Sequence, residues 1–386
     1  MKNDKQYWLT IYPYVHIKIT EDKALLYNTL SAKYIRVENP CVLPHIKELN
    51  KPESMMVIGI CEHNLSDIKD FITSLRELFM GDLIPACISS EKPVQIIPLH
   101  DIQEEVKRLK KEDKITPVGR GVVSYLKSIN IILEHNRATI SPDTIKTFLH
   151  QLPPDKSVSI QGDLSAISKN NLIMEALKSY NTGNITLILS NITEDGINKI
   201  PSGYNITMLI KFPVEEDSIK KAVTLLGNYN PDFSITFSVT SGNDMETAEN
   251  MIGKYNIKKY KFKPEYTGNN SSFFEENVFI TEEDLFASPV PMREIYAHQL
   301  LNTFNFGKII MFPNGDIFAN VNFPSLGNIN KNSLPEILYR EMDKGQSWLR
   351  IREKEPCLSC LYQWICPSPS DYELETGRQN LCHIKK

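Results

Sequence analysis

Residues 206–239 read ITMLIKFPVEEDSIKKAVTLLGNYNPDFSITFSV, a strand pattern followed by a helix pattern and a second strand pattern. The runs ITMLIKF (206–212) and FSITFSV (233–239) are short and apolar, with many β-branched and aromatic residues, as in buried strands. The intervening EEDSIKKAVTLLG (215–227) has apolar residues at helical spacing. This strand–helix–strand unit predicts two parallel strands in one sheet.

The same alternation continues on both sides of this unit. Further strand patterns are SINIILE (128–134), SVSIQG (157–162), ITLILSN (185–191) and KKYKFKPEY (258–266). Helix patterns between them begin at Ser141-Pro142-Asp143 and include NNLIMEALKSY (170–180) and METAENMIGKY (245–255). Six strands joined by helical crossovers predict an α/β domain over residues 121–285, a parallel sheet curled or closed like part of a TIM barrel. Functional groups in such sheets lie at the carboxyl ends of the strands.

The first 90 residues have a different pattern. YVHIKI (14–19), KALLYN (23–28) and AKYIRVE (32–38) predict three short strands, and LSDIKDFITSLRELFM (65–80) predicts a helix that ends near Gly81. We expect a small module resembling a winged helix, whose open strand edge beside a helix can accept an extended peptide as another strand. The alternative is a purely structural N-terminal cap. Residues 91–120 are charged and contain several prolines, as in a linker with a solvated helix.

Composition excludes several classes of protein. The formal net charge is -4, so the whole chain has no basic field for nucleic acid or anionic lipid. No apolar run is long enough to span a membrane, and the first residues lack the apolar segment and cleavage site of a signal peptide. We therefore expect a cytoplasmic protein that binds neither nucleic acid nor membranes.

The seven cysteines fall into two groups. Cys41, Cys61 and Cys87 lie singly among apolar neighbours, as small buried residues do. After Cys87 no cysteine occurs until PCLSCLYQWICPSPSDYELETGRQNLC (356–382), which contains Cys357, Cys360, Cys366 and Cys382. Four thiolates fill a tetrahedral zinc site or hold one iron–sulfur cluster, and the spacing alone does not distinguish the two. Either would stabilise a tail too short to form much core of its own.

The C-terminal hundred residues, 286–386, resemble a SPASM domain, the auxiliary-cluster module of radical SAM peptide-modifying enzymes. The resemblance rests on GKIIMFPNGDIFANVNFPSLGNINKNSLPEIL (307–338), with a hairpin around Gly315 and the run Leu326-Gly327-Asn328-Ile329, and on the four cysteines that follow. It extends to the whole chain: the N-terminal module is similar to the RiPP recognition element, which holds leader peptides of ribosomally made, modified peptides (RiPPs). The middle is similar to the partial (β/α)6 barrel of radical SAM enzymes.

The cysteines that these families use for catalysis are missing. A radical SAM barrel needs three cysteines after its first strand to bind the SAM cluster, but here His135, Asn136 and Arg137 follow SINIILE, and the domain contains no cysteine. Gln161, Gly162, Asp163 and Leu164 stand where the family has Gly-Gly-Glu-Pro. Asn320 and Ser370 stand where a two-cluster SPASM domain has cysteines, so the first auxiliary cluster is also lost. The chain thus resembles a pseudo-radical-SAM/SPASM protein of the GG-Bacteroidales type.

This resemblance implies a non-catalytic protein that binds a precursor peptide, an active radical SAM maturase, or both. It implies one [4Fe-4S] cluster on Cys357, Cys360, Cys366 and Cys382, with zinc as the alternative, and no SAM. By analogy, the leader peptide would bind the third strand and the facing helix, at Lys33, Tyr34, Ile35, Arg36, Val37, Ile68, Ile72 and Leu75.

A second hypothesis is an enzyme with altered chemistry at the mouth of the barrel. His135, Asp163, Lys211, Lys263 and Glu265 lie near predicted strand ends, where catalytic groups are expected. Polar residues are also common where strands emerge into solvent, and no paired motif singles out any of these five.

Overall fold

The computed structural model describes residues 5–88, 91–95, 101–103, 121–133, 140–168, 180, 184–189, 192–200, 204–230 and 232–384. Its N-terminal part contains two three-stranded antiparallel sheets, ordered β2-β3-β4 and β5-β1-β6. The strands are β1 (Gln6–Ile11), β2 (Val15–Ile19), β3 (Ala24–Asn28), β4 (Tyr34–Val37), β5 (Val57–Cys61) and β6 (Gly81–Pro85), and the helices are α1 (Leu43–Leu49) and α2 (Leu65–Glu77). The three strands and the helix predicted here are present, whereas the second sheet was not predicted.

Strand β3 is buried on both faces, because successive side chains of a strand point in opposite directions. Ala24 and Leu26 belong to a first core, formed with α1, α2 and the second sheet. Leu25 and Tyr27 point the other way, into a second core shared with the C-terminal tail. The N-terminal module is therefore packed against the tail through one face of its sheet.

The six predicted strands of the central domain are present and form parallel pairs in chain order. They are β7 (Ser128–Leu133), β8 (Ser157–Asp163), β9 (Asn184–Ile188), β10 (Asn205–Lys211), β11 (Ser234–Val239) and β12 (Tyr260–Pro264). The described helices between them are α3 (Pro142–Leu149), α4 (Leu164–Ser168), α5 (Glu194–Asn198), α6 (Glu216–Tyr229) and α7 (Gly242–Lys254). Ser141 begins α3 as predicted, since its side chain accepts a hydrogen bond from the backbone N–H of Thr144. The helix predicted over 170–180 lies, except for Tyr180, outside the described residues.

The C-terminal part extends this sheet. Strand β13 (Lys308–Met311) pairs in parallel with β7, and it forms an antiparallel hairpin with β14 (Asp316–Phe318), which pairs with β15 (Gly327–Asn328). The helices of this part are α8 (Ser271–Asn277), α9 (Glu282–Phe286), α10 (Met292–Leu300), α11 (Leu334–Lys344) and α12 (Asp371–Thr376). The result is a mixed α/β structure with a large, mostly parallel sheet in which β12 and β15 are the edges among the described strands.

Within the described ranges, no helix combines the length and the apolar character that crossing a bilayer requires.

Candidate functional site

The structure places all four tail cysteines around one small cavity. Cys357, Cys360 and Cys366 lie in consecutive turns: the amide of Cys360 donates to the carbonyl of Cys357 (3.1 Å), and that of Cys366 to the carbonyl of Tyr362 (2.9 Å). Cys382 returns after α12 and forms an isolated bridge with Ile280. Cys382, which follows Cys366 by 16 residues and lies beyond α12, is therefore brought back to the same place as the other three thiols.

Polar groups surround the sulfur atoms of these residues. The buried Arg352 places Nη1 3.5 Å from Cys357 Sγ, and its Nη2 forms an ion pair with Glu373 at 2.9 Å. The amide of Tyr362 lies 3.4 Å from Cys360 Sγ, and Asn380 Nδ2 lies 3.0 Å from Cys382 Sγ. Hydrogen bonds and positive charge of this kind stabilise sulfur ligands in their thiolate form.

Burial raises the pKa of the Cys357 thiol, and it raises the pKa of the Cys366 thiol to about 12. Without a metal these thiols are neutral at neutral pH, and a bound metal would deprotonate them. As the side chains stand, no group of three or more His, Cys, Asp or Glu in the described ranges is close enough to hold a metal ion. The donor set fits a thiolate-bound metal group in its chemistry: four thiols line one cavity, and N–H donors lie near three of them.

The tail also forms the surface on which the N-terminal module is packed. The second core contains side chains from β3, α9, α10 and the cysteine-bearing turns, namely Leu25, Tyr27, Leu285, Ile295, Tyr362, Trp364 and Ile365. Lys18, on β2, donates a hydrogen bond to Gln363 Oε1 (2.7 Å), and its ammonium lies 5.6 Å from the centre of the Trp364 ring. The four-thiol region is therefore in direct contact with the N-terminal sheet.

Strand β4 lies at the margin of this contact. The Tyr34 ring stacks on Phe286 with centroids 4.0 Å apart, and its hydroxyl donates to Glu282 Oε1 (2.8 Å). Arg36 forms an ion pair with the same carboxylate, and its guanidinium lies 5.4 Å from the centre of the Tyr362 ring. These contacts connect the edge strand to α9 and to the tail.

The outer edge of β4 pairs with no other strand in the described part of the chain. In the register with β3, Asn28 is opposite Lys33, and the amide of Asn28 donates to the carbonyl of Lys33. Because hydrogen-bonded pairs alternate along an antiparallel ladder, the backbone groups of Tyr34 and Arg36 point away from β3. A groove of about 370 Å³ lies beside this edge, lined by the β2–β3 turn, Arg36, Glu38 and the tail residues 359–362.

The residues predicted to bind a peptide are not equivalent in the structure. Lys33 and Arg36 are exposed, Tyr34 and Ile35 are half-buried, and Val37 is buried. Ile68, Ile72 and Leu75 are buried in the first core, because the apolar face of α2 packs against the sheets. The side chains of these three helix residues do not offer a peptide-binding surface, and this part of the prediction does not fit the structure.

Three of the residues proposed for the mouth of the barrel meet across neighbouring strands. Lys211 is opposite Ser238, which is opposite Lys263. Lys211 forms an ion pair with Glu265 (3.1 Å), and the Ser238 hydroxyl donates to the same carboxylate (2.6 Å). Ser238 was missed in the sequence, although its place near the end of β11, between two strands that each carry a lysine at or next to the last residue, is a usable signal.

The other candidates at this edge have different environments. Asp163 ends β8, and His135 lies outside the described residues. Gly162, the remaining glycine of the altered motif, has a packing role, because a Cβ there would come within 2.2 Å of the Leu133 carbonyl oxygen. The retention of this glycine therefore requires no ligand.

No protein-family model matches the chain, and no curated protein matches it in sequence. Crystal structures of SuiB from Streptococcus suis are similar over most of the chain. One is 14% identical, covers 97% of this chain and 100% of SuiB, and has a TM-score of 0.47. The complex of SuiB with the precursor peptide SuiA is 13% identical, with 97% and 99% covered and a TM-score of 0.47. The complex with S-adenosylmethionine is 13% identical, with 96% and 97% covered and a TM-score of 0.46. At these values the likeness assigns neither a family nor a function.

Proposed function

We propose that this protein is a non-catalytic, pseudo-radical-SAM peptide-binding protein that takes part in the maturation of ribosomally made peptides. The observation that carries the proposal is the outer edge of β4, which lies beside a groove shared with the cysteine-bearing tail. An extended precursor peptide would add to this edge as a fourth strand of the β2-β3-β4 sheet. Main-chain hydrogen bonds would supply affinity, and alternate side chains would supply selectivity.

Charge in the groove favours a peptide with basic side chains. Glu38 forms an ion pair with Lys23 (3.1 Å), and Glu282 forms one with Arg36. Glu21 and Asp22 also line the groove, and neither makes an ion pair within the described ranges. A Lys or Arg of the added peptide that reached this turn would find an unmatched carboxylate, which improves selectivity more than affinity.

The sequence supports the non-catalytic part of the proposal. No cysteine lies between Cys87 and Cys357, so the barrel has no thiolates for the cluster that cleaves SAM. Any radical chemistry on the peptide would then come from a separate maturase bound to the same complex. SAM is not a cofactor of this chain in the proposal.

We assign Cys357, Cys360, Cys366 and Cys382 as ligands of one [4Fe-4S] cluster, with zinc as the alternative. When bound, either group would cross-link the tail, and a cluster would also be able to carry an electron. Arg352 would offset part of the negative charge of the ligated thiolates, and Glu373 would hold the guanidinium in place. Because all four positions are filled by thiolates, we propose a structural role.

The alternative, altered chemistry at the mouth of the barrel, depends on the contact of Lys211 and Ser238 with Glu265. The hydrogen bond from Ser238, together with Lys211, lowers the pKa of the Glu265 carboxyl. A carboxylate held ionised in this way is a weaker general base, which favours a structural tie between strand ends. If Glu265→Gln abolished peptide maturation in a reconstituted system while the protein stayed folded, this alternative would be preferred.

Strand addition can be tested with two substitutions at one position. Arg36→Pro removes an N–H that points away from β3, so the β3–β4 ladder is kept, as at other edge-strand prolines. Arg36→Ala removes the same side chain and keeps the N–H. The probe is a fluorescently labelled candidate precursor peptide, taken from short reading frames that flank the gene, and the measurement is its Kd by anisotropy.

We expect Arg36→Pro to weaken binding at least about fivefold relative to Arg36→Ala, since a main-chain hydrogen bond contributes about 1 kcal/mol and the proline ring also obstructs the added strand. Equal affinities of the two variants, with unchanged circular dichroism, would rule out addition at this edge. Failure of the wild-type protein to bind the precursor would overturn the proposal as a whole.

The metal assignment has its own measurement. Anaerobically purified protein should be brown and contain about four iron atoms per chain, and Cys360→Ala should lose both the colour and the iron. A colourless protein with one zinc per chain would select the alternative. Cys87→Ala, far from the tail in sequence, is the matched control and should keep the metal content of the wild-type protein.

A further inference from the structure

A second cavity, of about 430 Å³, lies next to Cys357. It is formed by the segment that follows α11 and by α12 with the turn after it. This volume is within the range of small-molecule sites. The cavity shares Cys357 and Arg352 with the four-thiol region, but no residue of β4 or of the β2–β3 turn lines it. It is therefore separate from the proposed peptide groove.

The lining of this cavity is strongly basic. Among the described residues that line it, the cations are Lys344, Arg350, Arg352, Lys354 and Arg378, and the carboxylates are Glu353 and Glu373. The whole chain has a formal net charge of -4, so this cavity is positively charged although the protein as a whole is negatively charged. Clefts lined by one sign of charge attract ligands of the opposite sign.

Several of these cations are not matched by protein carboxylates. Arg352 is paired with Glu373 and Arg378 with Glu275, and Arg350 Nη2 lies 3.4 Å from Asp371 Oδ1. In the described part of the chain, Lys344 and Lys354 make no ion pair. Both lysine side chains are exposed, so an incoming anion could reach them.

Arg350 provides the most specific signal. Its Nη2 donates to the carbonyl oxygens of Pro369 (3.1 Å) and Ser370 (2.9 Å), which fixes the guanidinium against the wall of the cavity. Its Nε is buried and has no hydrogen-bond partner among the described residues. A buried donor without a partner is costly, and a ligand oxygen that displaced the atoms covering Nε would remove that cost. A guanidinium with a free donor suits the oxygen atoms of a carboxylate or a phosphate.

We propose that this cavity binds an oxyanion, a carboxylate or phosphate group of a ligand, on Arg350 with Lys344 and Lys354. The inference does not depend on strand addition at β4, because no residue lines both sites. The oxyanion could belong to a phosphorylated small molecule or to an acidic peptide, and the experiment distinguishes these two sources.

The test is isothermal titration calorimetry of the full-length protein at about 20 mM salt, with two probes used separately: inorganic phosphate and the peptide acetyl-Glu-Glu-Glu-amide. We expect at least one probe to bind saturably, and its affinity to fall as salt rises. Saturation by phosphate alone would identify a phosphorylated ligand, and saturation by the peptide alone would identify an acidic peptide. If neither probe binds, the proposal is overturned.

Two sets of variants localise the binding. The double variant Lys344→Gln, Lys354→Gln changes only exposed side chains. It should lower the affinity for the probe that binds at least about fivefold. Lys258→Gln with Lys261→Gln makes the same change in net charge at exposed lysines outside the cavity, and it should leave the affinity within about twofold. Equal losses in both double variants would show non-specific attraction and overturn the site. Arg350→Lys keeps the charge but removes Nε, and it should also weaken binding. If this variant is unstable, the Lys344→Gln, Lys354→Gln double variant alone tests the site.

Discussion

At the scale of single residues, His298 is a buried titratable group next to the cysteine-bearing tail. It is 4% exposed; its Nδ1 lies 2.9 Å from the carbonyl oxygen of Trp364, and its Nε2 lies 3.6 Å from a Glu294 carboxylate oxygen. Burial lowers the pKa of His298, and Arg352 acts in the same direction, whereas the Trp364 carbonyl and Glu294 oppose them. The folded protein therefore keeps this imidazole neutral where α10 meets the tail.

This environment predicts a pH dependence of stability. Because the pKa of His298 in the folded protein lies below the unfolded value of 6.5, the unfolded chain takes up a proton first as pH falls. The free energy of unfolding should therefore decrease as pH falls below about 6.5, by at most about 1.4 kcal/mol per pH unit from this group. Thermal unfolding of wild-type protein and His298→Gln between pH 8 and pH 5.5 measures the effect. The wild-type Tm should fall more steeply than that of the variant, and parallel curves would contradict the prediction.

At the scale of elements, the short helix α9 has a large role for its length. Thr281 and Asp284 form a capping box at its N-terminus, with the Thr281 hydroxyl accepting from the Asp284 amide at 3.1 Å. The helix carries Glu282 and Phe286, which hold Arg36 and Tyr34. The five-residue helix α9 thus helps to hold strand β4 in place.

We expect Thr281→Ala to reduce the free energy of unfolding by about 1 kcal/mol, the usual cost of a lost N-cap. It should also increase the hydrogen exchange of the β4 amides, because Glu282 and Phe286 would be held less firmly. Ser333→Ala removes the capping box of α11, and it should have a similar cost without changing the exchange of β4. The same β4 exchange rates in both variants would show that α9 does not support the edge strand.

At the scale of the whole molecule, a line of hydrogen bonds joins the N-terminal sheet to the four-thiol region. Lys18 Nζ donates to Gln363 Oε1 (2.7 Å), and Gln363 Nε2 donates to the carbonyl oxygen of Arg352 (2.6 Å). Arg352 in turn lies 3.5 Å from Cys357 Sγ. Burial lowers the pKa of the Lys18 ammonium, because the charged form loses hydration. The hydrogen bond to Gln363 Oε1 offsets part of that loss.

A double-mutant cycle tests this connection. Gln363→Leu leaves the Lys18 ammonium without its acceptor, and we expect a loss of about 1–3 kcal/mol of unfolding free energy. Lys18→Met removes the charge, so the double variant should be more stable than the sum of the single losses predicts. Urea denaturation of the four proteins gives the coupling energy. Additive losses would show that the two side chains contribute independently.

Much of the fold could be predicted, because its strands are defined by local pattern. The six parallel strands and the three strands of the β2-β3-β4 sheet are short apolar runs separated by turn residues. The hairpin at Gly315 was also predicted: this residue has a φ of +84°, and a Cβ there would come within 1.9 Å of Ile140 Cδ1. The strands depend on residues that are close in sequence, and the hairpin depends on the positive φ that Gly315 can adopt.

The features that were missed depend on contacts between distant segments. The apolar pattern of α2 predicts a peptide-binding face, but the unpredicted second sheet, β5-β1-β6, contributes to the core that covers it. The contacts of Lys211 and Ser238 with Glu265 require the register of three strands, which no local pattern gives. The docking of Leu25 and Tyr27 on the tail joins residues that are more than 250 positions apart.

Because β3 is buried on both faces, the N-terminal module shares a core with the C-terminal tail, although the two are far apart in sequence. A fragment that ends near residue 90 would expose Leu25 and Tyr27, which are 0% exposed in the full chain, as an apolar patch next to an open strand edge. Such patches promote self-association. The isolated N-terminal module should therefore be poorly soluble when produced alone, and co-expression of residues 121–386 as a separate chain should rescue it by covering the same face.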